Sequence, residues 1–352
     1  LKMIAQAAGV AAASEHIRPF LPYRDLADLA TLIEAAFGPE LAATGSHLVQ
    51  DLRQMAMLGP LLRGPNRLMS PFYGFVWTES GELVGNVSLS PEREDRAVWS
   101  VTNVAVMPEH RGRGIASQLM DRAIAFARAR GVRRLILQVR PDNDIAVALY
   151  RRCEFATLDT VHELRLHKHQ WPLVVGGPAA RGDAAGTLRA PRAADHAEIR
   201  ALLARLATVG GQPVSGRQST RHPWVWSAYR LLHYAVTAEQ TFEVVACPAG
   251  RPVAYAFAQT NSLRGPHEAA LYVAPQHRGR YEAALWEWLL ARLRRAVPQH
   301  VQTTLSVSHP EALTAAWDLG FRTVRVLDQM ALDLQPGRDP ACKGMAYLRT
   351  AG

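Results

Sequence analysis

The sequence predicts a mixed α/β fold class in which one domain is written twice. Three observations carry this prediction. Apolar residues switch between the two-residue period of strands and the period of three to four residues typical of helices. Similar segments recur at a nearly constant spacing, and the chain of 352 residues is long enough for two domains of ordinary size. With 48% hydrophobic and 20% charged residues, each domain has the means to build a normal core.

The internal repeat consists of three matched segments in the same order. The matches are Ile17-Arg18 with Leu188-Arg189, Val104–Arg113 with Leu271–Arg280, and Glu154-Phe155 with Gly320-Phe321, at spacings of 171, 167 and 166 residues. Such regular spacing indicates a duplicated domain of about 150 residues. The predicted parts are an N-terminal tail over 1–15 (disordered or helical), a first domain over 16–168, a linker rich in glycine and proline over 169–186, a second domain over 187–335 and a C-terminal tail over 336–352.

Local patterns predict each element of the first copy in turn. Glu79-Ser80-Gly81-Glu82 indicates a hairpin. A helix over Ile115–Arg130 has its apolar residues on one face and ends at Gly131, which is typical of a C-terminal cap. The predicted strands are Phe72–Thr78, Leu83–Ser90, Ala97–Val106, Leu135–Val139 and Phe155–Leu166, the last of which closes the sheet of this copy, and a second helix spans Asp142–Arg152.

The second copy repeats this order of strands and helices. Its predicted strands are Phe242–Ala246, Val253–Gln259, Ala269–Val273, Gln302–Val307 and Phe321–Leu332, and its helices span Glu282–Ala296 and Pro310–Leu319.

The net charge of +9 raises the question of an anionic partner. Residues 1–170 carry 20 basic and 18 acidic groups, a net +2, whereas residues 171–352 carry 20 and 13, a net +7. The arginines are spread along the chain, and no helix-turn-helix, zinc-finger or RNP signature accompanies them, so no nucleic-acid partner is expected. The net positive charge of residues 171–352 is either a matter of composition or a means of attracting an acidic acceptor substrate towards the shared cleft.

Cysteine and histidine spacing predicts neither a disulfide framework nor a metal site. Cys153, Cys247 and Cys342 are far apart, and the histidines lack a pattern such as HExxH. Free cysteines favour a cytoplasmic location. No stretch approaches the roughly 18 apolar residues of a membrane span, so no membrane partner is expected.

The most informative segment is a predicted strand followed by Arg111-Gly112-Arg113-Gly114-Ile115-Ala116 and then a helix. Two glycines permit positive φ and a close backbone approach. The N–H groups at the helix start suit a phosphate, and the two arginines add positive charge. The spacing fits neither the GxGxxG dinucleotide motif nor a P-loop, which ends in Gly-Lys-Ser/Thr. We therefore expect an anion cradle built largely from backbone.

These residues resemble the GNAT superfamily of acyl-CoA-dependent N-acyltransferases. The family signature, Gln/Arg-x-x-Gly-x-Gly/Ala after an apolar-x-Val-x-Pro strand end, is matched by Val104–Pro108 and by Arg111, Gly114 and Ala116. A second signature is matched by Asn143 through Phe155, except that Cys153-Glu154 stands where Gly before Phe is usual. The resemblance implies tandem GNAT-like domains of the α+β class, each a mixed, mostly antiparallel twisted sheet flanked by helices.

The resemblance also implies a role for each matching residue. The backbone of Val104 and Val106 binds the pantetheine arm of acetyl-CoA, and the N–H of Val104 or Ala105 polarises the thioester carbonyl. Asn143 contacts the cofactor or caps the following helix. Tyr150 protonates the departing thiolate as general acid, unless it is only an apolar-face helix residue. The expected pyrophosphate-binding residues are Arg111, Gly112, Arg113, Gly114, Ile115, Ala116 and Ser117.

A neutral amine is expected to attack the acetyl group directly, without a covalent enzyme intermediate. Its proton leaves to a base that the sequence does not single out. Candidates are Glu92, Glu94, Asp95 and a water held by Asn103, although each carboxylate alone is more typical of a solvated hairpin.

The second copy departs from the signature at the residues that carry chemistry. Tyr281 and Glu282 replace Gly114 and Ile115, with the tyrosine ring expected in the pyrophosphate space, and Ala316 and His309 replace Tyr150 and Asn143. We expect that this copy binds no acyl-CoA in the usual way. The Trp224-Val225-Trp226 cluster with Tyr229 is a possible acceptor platform, but it is more typical of a core or an interface.

The resulting expectation is an N-acetyltransferase that uses acetyl-CoA as co-substrate and acetylates a small-molecule or peptide amine. The alternative is a non-catalytic acyl-CoA-binding sensor or scaffold. The acceptor, the base, the length of the acyl group and the oligomeric state are left open by the sequence.

Overall fold

A computed structural model describes residues 16–44, 48–57, 73–92, 95–171, 188–209, 240–248, 250–260, 265–296 and 298–334. Contacts group the chain into two units. Unit 1 comprises the chain up to Leu137, Leu149–Phe155 and the chain from Ala331, and unit 2 comprises Gln138–Ala148 and Ala156–Met330. The domain boundaries expected from the sequence remain a prediction.

Helices and strands alternate along both halves of the chain, as the sequence predicts. The first half contains β1 (Ile17–Pro19), α1 (Pro22–Thr44), α2 (Leu48–Met57), β2 (Tyr73–Glu79), β3 (Glu82–Pro91), β4 (Val98–Val106), α3 (Ile115–Ala129), β5 (Arg134–Val139), α4 (Asp144–Arg152) and β6 (Ala156–Leu166). The second half contains β7 (Leu188–Arg189), α5 (His196–Val209), β8 (Thr241–Ala246), β9 (Ala254–Gln259), β10 (His267–Val273), α6 (Glu282–Leu293), β11 (Val301–Ser306), α7 (Pro310–Asp318) and β12 (Arg322–Asp333).

In unit 1 the strands run in the order β1-β2-β3-β4-β5. The first three pairings are antiparallel, and β4 with β5 is parallel. Helix α3 buries Ile115, Leu119, Ala123, Ile124 and Ala127, the face that the sequence predicts. Helix α1 and its neighbour α2 pack with β2 and β4 in a second apolar cluster that includes Leu32, Ile33, Val76 and Ala105. The predicted mixed sheet with flanking helices is confirmed.

In unit 2 the strands run in the order β12-β6-β11-β10-β9-β8-β7. Strand β10 is parallel to β11, and β11 is antiparallel to β6 from Val301–Leu166 to Ser306–Val161. The sequence predicts that β6 closes the sheet of the first copy, but β6 lies between β12 and β11 of the second copy. Leu164 and Leu166 are fully buried in the core of unit 2. Strand periodicity indicates which face is buried, not which strand lies alongside.

Both copies begin with the same ion pair, which supports the internal repeat. Both guanidinium ends of Arg18 donate to Asp25 at 2.7 Å, and those of Arg189 donate to Asp195 at 2.6 and 2.9 Å. Each carboxylate also accepts a backbone N–H at the start of the following helical segment. Hydrogen bonding to Arg189 lowers the pKa of Asp195 to about 2. No helix within the described ranges has the length and apolar character needed to cross a membrane.

Candidate active site

The loop before α3 has the backbone conformation that its glycines predict. Gly112 and Gly114 have φ of 76° and 77°, in the left-handed region that favours glycine. A Cβ at Gly112 would meet nothing within 4 Å, so the loop is open on that side. Gln118 N–H donates the helix's first hydrogen bond to the Gly114 carbonyl. The preceding N–H groups, up to that of Ser117, lie at the positive end of a 15-residue helix, where an anion is stabilised.

Strand β4 contains a bulge directly before the residues expected to bind the pantetheine arm. Asn103 has a φ of 52°, and the register with β3 shifts between Asn86 and Ser88. The fully buried Asn86 side chain donates to the Asn103 carbonyl at 2.9 Å. The bulge is thus fixed by a side chain that the sequence analysis did not single out, because a lone asparagine in a strand gives no signal of its role.

Beyond the bulge, one edge of β4 is not paired with a strand. Strands β4 and β5 pair over Val98–Ser100 only, so in the described chain no strand lies beside Val104 and Val106 on that side. Met107 N–H donates to the β3 residue Val84. Since successive residues of a strand point to opposite edges, Val106 faces the unpaired edge, whereas Val104 lies within the bulge between the paired residues Thr102 and Ala105. An extended ligand can add to such an edge as a strand.

The two arginines of the loop have protein partners. Arg113 donates to both carboxylate oxygens of Glu79 at 2.7 and 2.9 Å, so much of its charge is offset there. This pairing lowers the pKa of Glu79. Arg111 Nε donates to the Val106 carbonyl at 3.1 Å and ties the loop to the end of β4. A contribution of either arginine to anion binding stays a prediction.

Tyr150 lies on α4 with 8% of its surface exposed. Burial, together with the neighbouring Cys153, raises the pKa of Tyr150 to about 12. The phenol therefore holds its proton throughout the neutral range. An acid, rather than a base, is the chemical role that this environment favours.

Asn143 caps the start of α4. Its side-chain oxygen accepts the Ala146 N–H at 3.2 Å, and its carbonyl accepts the Val147 N–H at 2.9 Å. Of the two roles left open by the sequence, the structure contains the cap. The cofactor contact stays a prediction.

The candidate bases differ in their surroundings. Glu92 accepts a hydrogen bond from Ser100, and burial raises the pKa of its carboxyl. Asp95 is bound by Arg133 and by the Ala97 N–H. Glu94 and the cluster from Trp224 to Tyr229 lie outside the described residues. Within the ranges that are described, no group of three or more His, Cys, Asp or Glu side chains could hold a metal ion.

In the second-copy loop, Tyr281 and Glu282 stand where the first copy has Gly114 and Ile115. The ring of Tyr281 is fully buried in the core of unit 2 and lies close to His277 and Arg280 of the loop region. Its expected place in the pyrophosphate space stays a prediction. The Glu282 carboxylate accepts a hydrogen bond from the loop residue Gly279.

Comparison with known proteins agrees with these features. Residues 45–155 match the model of the Acetyltransferase (GNAT) family. An acetyltransferase of Pectobacterium atrosepticum is 37% identical over 82 residues, which are 23% of this chain and 56% of that protein. This chain thus spans little more than half the length of the curated relative. Over residues 45–155 the chain thus matches a GNAT acetyltransferase domain, which confirms the resemblance drawn from the sequence.

Two solved structures have this fold over nearly the whole chain. A tandem GNAT protein from the clavulanic acid biosynthesis pathway aligns over 91% of this chain and 99% of its own, at 15% identity and a TM-score of 0.52. A GCN5-related N-acetyltransferase from Sphaerobacter thermophilus aligns over 92% and 96%, at 16% identity and a TM-score of 0.58. At such identities the likeness is one of fold.

Proposed function

We propose that the chain is an acetyl-CoA-dependent N-acetyltransferase that acts on an amine of a small molecule or a peptide, with the first copy as the catalytic one. One observation carries this proposal. A left-handed glycine loop at a helix start follows, after one helical turn, a bulged strand whose outer edge beyond Ser100 has no strand partner among the described residues. The loop can hold a phosphate, and the unpaired edge of β4 can hold an extended pantetheine arm.

The residues present fit acetyl-CoA, which supplies an activated acetyl thioester. The N–H groups from Gly112 to Ser117 would hold the pyrophosphate, and the backbone of Val104 and Val106 the pantetheine arm. The N–H of Val104 or Ala105 would stabilise negative charge on the carbonyl oxygen during attack. No metal is required in this scheme.

The transfer forms a C–N bond and breaks a C–S bond, so two protons must be handled. One leaves the attacking amine, and one is gained by the departing thiolate. Tyr150 is proposed to deliver the second, because its buried phenol is protonated at neutral pH. Burial that raises the pKa of a phenol also raises that of a thiolate beside it, and this keeps the two groups matched.

Glu92 is the first candidate for the base that takes the amine's proton. Burial raises the pKa of its carboxyl, which makes it a better proton acceptor near neutral pH. Asp95 is held by Arg133 and is less suited. We further propose a cytoplasmic location and no nucleic-acid or membrane partner.

Release of free CoA thiol, measured with acetyl-CoA and a panel of amines, tests the proposed function. At least one amine should stimulate thiol release well above the hydrolysis seen without an acceptor. If acetyl-CoA protects the protein against heat but no amine stimulates release, the chain is a sensor or scaffold. If acetyl-CoA gives no protection, the proposed cofactor is wrong.

A further inference from the structure

The second copy contains a loop that matches the anion loop of the first up to its first glycine and then differs, because Tyr281, at the position of Gly114, has a φ of −117° where Gly114 has 77°. A single helical turn over Pro275–His277 leads to Gly279, whose φ is 79°, and then to the 12-residue helix α6. In the first copy the corresponding turn is Pro108–His110, followed by Gly112 with a φ of 76°. The second loop therefore also presents N–H groups at the positive end of a helix.

In this second loop a carboxylate of the chain itself accepts those N–H groups. Glu282 Oε1 accepts from Gly279 N–H at 3.0 Å, and Oε2 accepts from Tyr281 N–H at 3.1 Å. Only 2% of the Glu282 surface is exposed. A buried carboxylate with both oxygens on loop N–H groups has the charge and the hydrogen-bond pattern of a bound phosphate.

His309 completes the surroundings of this carboxylate. Its Nε2 lies 2.7 Å from Glu282 Oε1, and 8% of the histidine is exposed. Burial alone would raise the pKa of Glu282, but the hydrogen bonds from His309 and the loop lower it below the ordinary value. The carboxylate is therefore ionised at neutral pH.

Matching residues of the first copy show what changed. Ile115, at the position of Glu282, buries its side chain in the core and leaves the loop N–H groups to another acceptor. Asn143, at the position of His309, caps its own helix. Both substitutions in the second copy serve one purpose, since the histidine partners the anion that the glutamate introduces.

We propose that Glu282 is an internal substitute for a ligand's phosphate, so that the second loop is filled by the chain itself and accepts no phosphorylated ligand. The Glu282 carboxylate then stabilises the loop and the start of α6 in place of a bound phosphate. This inference does not depend on catalysis in the first copy.

Rescue by inorganic phosphate tests the substitution. In the full-length chain, Glu282→Ala removes the carboxylate and leaves a cavity at the loop. We expect the melting temperature to fall by roughly 6–12 °C, because a buried carboxylate is removed and the groups hydrogen-bonded to it are left without that partner. Replacing chloride by phosphate at equal ionic strength should raise it again by about 3 °C or more beyond any rise in the wild type, as binding to the emptied loop predicts.

Two further variants separate this effect from a general one. Glu198 lies in the first turn of α5, and its side chain is 45% exposed. Glu198→Ala therefore removes an acid from a helix start outside the second loop. It should show only the wild-type response to phosphate. Glu282→Gln keeps the space filled and should be destabilised without phosphate rescue.

An equal response to phosphate in the wild type, Glu282→Ala and Glu198→Ala would overturn the proposal. If Glu282→Ala does not fold, Glu282→Ser replaces it, because serine removes the carboxylate but keeps one polar oxygen at the first residue of the helix. Selective stabilisation of Glu282→Ser by phosphate is then the expected result, and its absence counts against the internal anion.

Discussion

Tyr150 places a phenol hydroxyl in a buried position on α4. The proposed role of this hydroxyl is to deliver a proton to the departing thiolate. Its raised pKa of about 12 fits a group that remains protonated while a thiolate forms beside it. The sequence singled this residue out through its place in the second GNAT signature. It could not indicate the pKa, which depends on how α4 packs.

Tyr150→Phe should lower kcat by about 10²- to 10⁴-fold while leaving acetyl-CoA affinity unchanged, because only proton delivery is lost. Tyr73→Phe, which keeps a ring that stacks on Trp99, is the control and should retain activity. Steady-state thiol release and a binding titration measure the two quantities. Equal activity of both variants would remove Tyr150 from the mechanism.

The pH dependence follows from the direction of the same shift. An acid with a raised pKa keeps its proton to higher pH, and its contribution to activity is lost as pH rises through about 12. The pH profile of kcat should therefore show no loss from Tyr150 near pH 10, the ordinary value for a phenol. A fall centred near pH 10 that Tyr150→Phe abolishes would contradict this.

Glu154 lies in a backbone conformation that suits glycine. Its φ is 67°, and Gly320, at the matching position of the second copy, has a φ of 94°. Glycine is usual at this position of the second GNAT signature, and the turn is formed with glutamate nonetheless. The residue bears the steric cost of a Cβ in the left-handed region.

Glu154→Gly should stabilise the protein by about 0.5–1 kcal/mol, the relief of strain less the entropy that glycine loses on folding. Glu154→Ala removes the same charge but keeps the Cβ, and it should give no gain. Urea unfolding of both variants measures the difference. Equal midpoints would show that the turn holds no such strain.

At the scale of elements, the glycine loop and α3 form one structural unit. The positive φ of Gly112 and Gly114 sets the direction of the loop N–H groups, and the buried apolar face of α3 packs the helix on the sheet. Gly131, at the far end of the same helix, has a φ of 71° but no part in the loop. The two ends therefore allow strain and binding to be separated.

Gly114→Ala and Gly131→Ala should each cost about 1–2 kcal/mol of stability, since both place a Cβ at positive φ. Only Gly114→Ala should weaken acetyl-CoA binding, by about tenfold or more, or 1.4 kcal/mol. Thermal unfolding and calorimetric titration compare them. Equal affinities in the two variants would show that the loop does not hold the cofactor.

Local elements were largely predictable, whereas their tertiary roles were not. The buried face of α3 and the start of α7 at Pro310 follow from periodicity and proline chemistry. The β4 bulge, the Arg113–Glu79 pair and the Glu282 carboxylate depend on contacts between distant residues. A sequence pattern indicates the residue type at such sites, but not the partner.

At the scale of the molecule, unit 2 draws strands from both sides of the predicted linker. Strand β6 precedes it, yet β6 pairs with β11 over Val161–Leu166. Duplication was visible in the sequence from the repeat, and the paired ion pairs Arg18–Asp25 and Arg189–Asp195 support it. The partner of β6 was not visible, because both copies offer a strand of suitable pattern.

A fragment of residues 1–171 should therefore not fold cooperatively. It would leave β6 without β11 and expose Leu164 and Leu166, which are fully buried in the full chain. Co-expression with residues 172–352 should restore a soluble complex. Cooperative unfolding of the isolated 1–171 fragment, seen by circular dichroism, would contradict the pairing.

The central claim is that one of the two copies holds acyl-CoA and that the other has closed its loop with its own carboxylate. Calorimetric titration of acetyl-CoA into the full-length protein tests this most directly. The account predicts one site per chain, weakened by Gly114→Ala and unchanged by Glu198→Ala. Two sites per chain, or a single site that Gly114→Ala leaves intact, would contradict it.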